Sequence, residues 1–131
     1  MRALLSLLAL LACSSGIAIA EPVARHEAPK IAPTELDSRR SAGNAPTVID
    51  VRTPEEYASG HIPGAVNIPF DQIANRISEV SVPHGVALYC MLGPRARKAE
   101  RALLAKGHDS VFHLEGGLAA WKAAGLPIES P

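Results

Sequence analysis

Along most of this chain, short apolar runs alternate with stretches whose apolar residues recur at helical spacing, a pattern that predicts a parallel sheet covered by helices. Thr47-Val48-Ile49-Asp50-Val51 reads as a buried strand ending at Arg52, and Ala65-Val66-Asn67-Ile68 as a short one closed by Pro69. Val86-Ala87-Leu88-Tyr89 and Val111-Phe112-His113-Leu114 complete the visible strands. Pro33-Thr34-Glu35-Leu36 opens a helix to about Arg40, and Thr53-Pro54-Glu55-Glu56 supplies the cap, proline and acidic first turn of another that ends near Ser59-Gly60. Asp71 is expected to cap a helix through about Glu79. After Arg95, the residues Ala99, Ala102, Leu103 and the stem of Lys106 share one face, with Arg97, Lys98 and Glu100 on the wet side, until Gly107 stops the helix. Gly116-Gly117 leads into a last helix through Trp121 that Gly125 and Pro127 end.

The first twenty residues follow another pattern. Met1-Arg2 and then Ala3 to Ala12 have the charged start and short apolar core of a secretory signal, too short to span a bilayer, with Ala18-Ile19-Ala20 as a small-x-small cleavage site. Leu10-Leu11-Ala12-Cys13 offers a second reading, a lipobox in which Cys13 is lipidated and anchors the chain to a membrane. Both readings export the protein, to the periplasm in the first. The expected organisation is a signal at 1–20, a flexible leader at 21–30, one domain at 31–128 and a tail at 129–131.

Charge is balanced, with 13 Lys and Arg against 13 Asp and Glu, so nothing favours a polyanionic partner. Two Phe, two Tyr and one Trp are too few for a base-stacking platform, and no nucleic-acid partner is expected. His26, His84, His108 and His113 lack metal-ligand spacing, which argues against a metal site. His61 is read as a partner of backbone, and Trp121 as packing.

The chemistry concentrates where the third strand stops. Cys90 is followed by Met91-Leu92-Gly93-Pro94-Arg95 and then by a helix, so the thiol opens a strand–loop–helix turn. A helix N-terminus gathers N–H groups without intrahelical partners and the positive end of the macrodipole, and a neighbouring cation adds to the field that favours thiolate. With only Cys13 and Cys90 present, processing at Ala20 leaves Cys90 without an intramolecular disulfide partner. The alternative for a lone cysteine is a small buried hydrophobe, and the position of Cys90 at the mouth of a loop argues against it. The C-terminal strand ends that carry Cys90 and Asp50-Val51-Arg52 are where open α/β sheets bind ligands. Asp50 and Arg52 are expected to form a hydrogen-bonded pair that orders this end of the sheet.

Taken together, Val48-Ile49-Asp50-Val51-Arg52, Glu55-Glu56-Tyr57, Gly60-His61-Ile62-Pro63-Gly64-Ala65-Val66-Asn67-Ile68-Pro69, the Tyr89-Cys90 loop and Leu114-Glu115-Gly116-Gly117 followed by Trp121 resemble the rhodanese-like sulfurtransferases, in particular exported single-domain bacterial thiosulfate sulfurtransferases. The resemblance implies an α/β fold with a five-stranded parallel sheet flanked by helices on both faces. It also implies a Cys90 persulfide formed from thiosulfate or a related small-molecule donor and discharged to cyanide, a small thiol or a protein thiol. Cys90 matches the nucleophile and Arg95 the arginine beside the anionic substrate. Loop N–H groups of Met91, Leu92, Gly93 and Ala96 would hold the charge, and no metal or organic cofactor is needed.

Three departures bear on the donor. Ala96 stands where many family members have Ser or Thr, Pro94 removes one N–H from the cradle, and Glu56 replaces a basic residue found in some two-domain thiosulfate enzymes. Met91 and Leu92 also make the loop apolar, favouring a less charged donor. Two other functions compete: a sulfur-carrier or thiol-redox binding module, and a cysteine phosphatase. A phosphatase loop places five residues between Cys and Arg, whereas four intervene here.

Overall fold

The computed structural model describes residues 16–17 and 27–131. The expectations for Cys13 and for cleavage after Ala20 lie outside the described residues. Five parallel strands, β1 (Lys30–Ile31), β2 (Thr47–Asp50), β3 (Val66–Asn67), β4 (Val86–Tyr89) and β5 (Val111–Leu114), form one sheet in the order β1-β5-β4-β2-β3. The helices are α1 (Pro33–Ala42), α2 (Pro54–Ala58), α3 (Ile73–Arg76) followed by a 3-10 turn (Ile77–Glu79), α4 (Pro94–Ala105) and α5 (Gly117–Ala123).

Apolar side chains leave both faces of the sheet, as a parallel sheet requires. Ile49, Val51, Leu88 and Cys90 pack with Ile73, Ala99 and Leu103 on the face covered by α3 and α4. Val48, Ala87 and Tyr89 pack with Leu36, Leu118 and Trp121 on the face covered by α1 and α5. The α/β fold with helices on both faces is therefore as expected. Register brings the strand ends level: Asp50 lies opposite both Asn67 and Tyr89, so the segments leaving β2, β3 and β4 emerge side by side.

Several boundaries differ from expectation. The fifth strand is Lys30–Ile31, so the leader does not extend to residue 30; Ala28 is buried and the Pro29 carbonyl accepts the His113 N–H at 2.9 Å. The physical reason is the open edge of β5, which this segment satisfies. Nor is residue 129 a loose tail, because Glu129 and His61 exchange N–H to carbonyl bonds at 2.9 Å in both directions. Asp71 caps nothing. The Pro69 carbonyl takes the Gln72 N–H at 2.9 Å, which closes a turn around Asp71 and moves the N-cap position to Gln72. α1 runs two residues past Arg40 to Ala42, where Gly43 at φ 76° ends it.

The largest correction concerns α4. Its buried stripe is Ala96, Ala99, Glu100 and Leu103, while Lys106 is exposed. Glu100 thus faces inward, because His113 on β5 meets its carboxylate there.

β1 should contribute measurably despite its length, since Ile31 is buried against Leu36 and Leu114 on the α1 side. Ile31→Ala is expected to lower stability by about 2–5 kcal/mol in urea unfolding; a loss below about 1 kcal/mol would show that the edge strand is dispensable.

Candidate active site

Cys90 leaves β4 on the face of α4, with its backbone tied from the opposite side. Its carbonyl accepts the Leu118 N–H at 2.9 Å and the Met91 carbonyl accepts the Ala119 N–H at 3.1 Å. Both bonds need Gly117 to lie against the loop, where a Cβ would sit 2.6 Å from the Met91 oxygen and 2.7 Å from the Cys90 oxygen. Gly117 also has φ +62°, which favours glycine independently. Gly117 thus permits a close approach of α5 to the loop.

The loop anchored in this way places one N–H on the sulfur. Gly93 donates its N–H to Cys90 Sγ at 3.1 Å. The first bond within α4 runs from the Arg97 N–H to the Gly93 carbonyl at 3.0 Å, so the N–H groups of Arg95 and Ala96 have no acceptor inside the helix. Pro94 at the first helical position supplies none. Cys90 is only 1% exposed, which overturns the expectation of an open thiol. The sulfur is enclosed, yet it faces the loop amides. Leu92, at 69% exposure, forms the outer surface of the loop, Met91 is half-buried and Ala96 is buried.

Arg95 makes a two-pronged ion pair with Glu56, at 2.6 Å and 2.9 Å. Hydrogen bonding to Arg95 holds the Glu56 carboxyl at about 2, well below its ordinary value. The same bond raises Arg95, and the nearby Cys90 adds to that rise. Arg95 is thus beside the thiol as expected, but its charge is already balanced. Glu56 also serves its own helix, since with Thr53 it forms the capping box of α2.

Asp50 and Arg52 form the expected pair. Arg52 Nε bonds both Asp50 oxygens at 2.9 and 3.0 Å, and its terminal nitrogen bonds Asp50 Oδ2 at 2.6 Å and the Gly60 carbonyl at 2.7 Å. Burial opposes the Arg52 charge, but the Asp50 bonds and charge outweigh it and raise the group. Asn67 donates to the Asp50 and Arg52 carbonyls, each at 3.0 Å. The segment after Gly60 is fixed by the Tyr89 hydroxyl, which accepts the Ile62 N–H at 3.1 Å, and by the Tyr57 hydroxyl, which donates to the Ala65 carbonyl at 2.7 Å. Burial, first, and the Asp50 charge push the Tyr89 hydroxyl upward, so it stays neutral. His61 Nδ1 lies 2.9 Å from the Tyr57 carbonyl, a backbone partner as expected. These contacts brace the site from the β2 side.

A cleft of about 260 Å³ opens beside Arg95, lined also by Arg52, Pro54, Phe70 and Asp71. A wider one, about 640 Å³, lies at the other end of the sheet among Arg39, His84, His108 and Phe112. It is far from the strand ends where α/β sheets bind ligands. Among the described residues, no three His, Cys, Asp or Glu side chains converge as metal ligands. Sequence reasoning did not identify Glu56 as the partner of Arg95, Tyr89 as a brace, or the Glu100–His113 contact. Only Glu56, within the acidic first turn of α2, carried a local signal.

The chain matches the family model of the rhodanese-like domain over residues 32–124 and belongs to that family. It is 40% identical over 84 residues to a sulfurtransferase of Allochromatium vinosum, spanning 64% of this chain and 78% of that protein. Among solved structures it is similar to the rhodanese-like domain of an Anabaena protein, with a TM-score of 0.71, 34% identity, and coverage of 79% of this chain and 80% of that one. A human single-domain sulfurtransferase matches with a TM-score of 0.65 and 26% identity, over 73% of this chain and 96% of the human one.

The Glu56–Arg95 pair predicts an acid response. Because the folded-state value of Glu56 lies near 2 and its ordinary value is 4.5, the pair's contribution is complete above about pH 4.5 and vanishes as pH falls through about 2. The stability difference between wild type and Glu56→Gln should narrow across that window in chemical unfolding. A difference unchanged from pH 5 to pH 2 would refute the pairing in solution.

Proposed function

We propose that this protein is a sulfurtransferase that carries sulfane sulfur as a persulfide on Cys90. One contact supports this above all: the Gly93 N–H on Cys90 Sγ at 3.1 Å, at the N-terminus of α4, in the loop of a rhodanese-like domain. The sulfurtransferases of Allochromatium vinosum and human to which the chain is similar support the same chemistry.

With thiosulfate as donor, the Cys90 thiolate attacks the outer sulfur. The sulfur–sulfur bond of thiosulfate breaks, its electron pair leaves with sulfite, and the terminal sulfur of the new persulfide carries the negative charge. Cyanide or a thiolate then attacks that sulfur, the bond to Cys90 breaks, and thiocyanate or a new persulfide departs as the thiolate returns. No oxidant is consumed. The amides of Gly93, Arg95 and Ala96 stay with the charge throughout, as preorganised donors do at an oxyanion hole. Because Cys90 is enclosed, entry of a donor requires the Met91–Pro94 segment to shift, and exposed Leu92 is the part it meets first.

The balanced Arg95 bears on donor choice. A dianion such as thiosulfate approaches a guanidinium that Glu56 already occupies, so a less charged sulfane donor suits the apolar loop better. A carrier or thiol-redox module is the second reading, and exchange with a partner's thiol needs the same opening of the loop over Cys90. The protein acts after export, in the periplasm or anchored at Cys13; N-terminal analysis of mature protein distinguishes the two.

Incubation with thiosulfate should add one sulfur atom to intact protein and none to Cys90→Ser, read by mass spectrometry. Phosphate release from an aryl phosphate without thiocyanate production from thiosulfate and cyanide would overturn the assignment in favour of a phosphatase. Glu56→Gln should raise kcat/KM for thiosulfate roughly five- to tenfold, the effect of removing one repulsive charge worth about 1 kcal/mol near a protein surface. An unchanged or lower value would show that Glu56 does not set donor charge.

A further inference from the structure

Behind the Cys90 loop lies a buried polar cluster that the proposed chemistry does not use. His113 stands on β5 opposite Leu88, two residues before Cys90, on the face covered by α4. Its Nδ1 is 2.5 Å from Glu100 Oε1, and Glu100 is only 1% exposed. The second Glu100 oxygen is 3.4 Å from Arg97, which also donates to the Ala28 carbonyl at 3.1 Å. A carboxylate only accepts, so Nδ1 carries the proton and the ring orientation is set by Glu100. This fixes where the far edge of the ring lies. A Cβ built on Gly93 would sit 3.6 Å from both Cε1 and Nε2 of His113, so the imidazole edge flanks Gly93 on the side where a side chain would project, with room for one carbon between them. Gly93 has φ +146°, a conformation that a side chain would strain, and it is the residue whose N–H reaches Cys90 Sγ.

We infer that Glu100 and His113 are positioning residues for Cys90: the carboxylate fixes the imidazole, and the imidazole edge seats Gly93 so that its N–H stays aimed at the sulfur. The chain runs from the α4 carboxylate to the β5 imidazole, the loop glycine and the thiol, with hydrogen bonds at the first and last links and the imidazole edge flanking Gly93 between them. The inference rests on Cys90 as the reacting group but not on the identity of the sulfur donor. A buried Glu–His pair has a purely structural alternative, in which each side chain only satisfies the other. The contact atoms separate these roles. Asn at position 113 keeps a donor where Nδ1 is and lacks Cε1 and Nε2, the two atoms that face Gly93.

The test uses His113→Asn, Glu100→Gln and, as a packing control on the same core, Leu104→Ala. Three quantities are measured on each: the thermal midpoint, the rate of Cys90 alkylation by iodoacetamide at pH 7, and the amide proton shift of Gly93 by NMR. His113→Asn is expected to retain most of the stability, yet to slow alkylation about tenfold and to move the Gly93 amide upfield, as loss of a hydrogen bond to a charged sulfur would. Glu100→Gln, whose amide oxygen still accepts the Nδ1 proton, should leave both readouts near wild type, whereas Leu104→Ala should lower the midpoint and leave both unchanged. A His113→Asn protein with wild-type alkylation and an unmoved Gly93 amide would overturn the inference. So would a Leu104→Ala protein that reproduced the changes. If wild type takes no sulfur from thiosulfate while the Gly93 response appears as described, the positioning role stands and the transfer chemistry falls.

Discussion

Two backbone hydrogen bonds, from Leu118 and Ala119 at the start of α5 to the carbonyls of Cys90 and Met91, govern how this domain presents its thiol. With the loop anchored from the α5 side, the Gly93 N–H reaches Cys90 Sγ at 3.1 Å. The approach is possible only because Gly117 has no side chain to strike those carbonyls. The close contact links two motifs that are far apart in sequence, Leu114-Glu115-Gly116-Gly117 and the cysteine loop.

Electrostatics at the site is divided between two arginines with different duties. Arg52 is buried with Asp50 and bound to the Gly60 carbonyl, so it fastens the end of β2 to the segment after α2. Removing either partner of such a pair would strand a charge in the interior, which is why the two are best read as architecture. Arg95 is partly exposed and held by Glu56. Its charge is counterbalanced before any ligand arrives, and the group placed on the sulfur is the main-chain N–H of Gly93.

The sequence made four of the five strands legible, three of them because each is a largely buried apolar run and β3 because Pro69 closes a short apolar stretch, and the helices between them carry caps and prolines. β1 escaped notice: two residues beside Pro29 have no periodicity, and only the vacant edge of β5 makes them a strand. Asp71 misled because its side chain fits a cap while the turn from Pro69 governs the backbone. At the site, Cys90, Asp50 and Arg52 could be found because they cluster at strand ends. Glu100 could not. Charge on a helix ordinarily marks the solvent side, and only tertiary pairing with a histidine thirteen residues away turns it inward. The enclosure of Cys90 was likewise invisible, since it depends on how the loop folds back.

Both borders of the sheet are strands of only two residues, Lys30–Ile31 and Val66–Asn67. A border that short offers an incoming chain very few unpaired backbone groups on which to add, and Lys30 places a charge on one of them. The central strands, whose apolar runs would otherwise invite edge-to-edge aggregation, are thereby shielded by the least conspicuous elements of the fold.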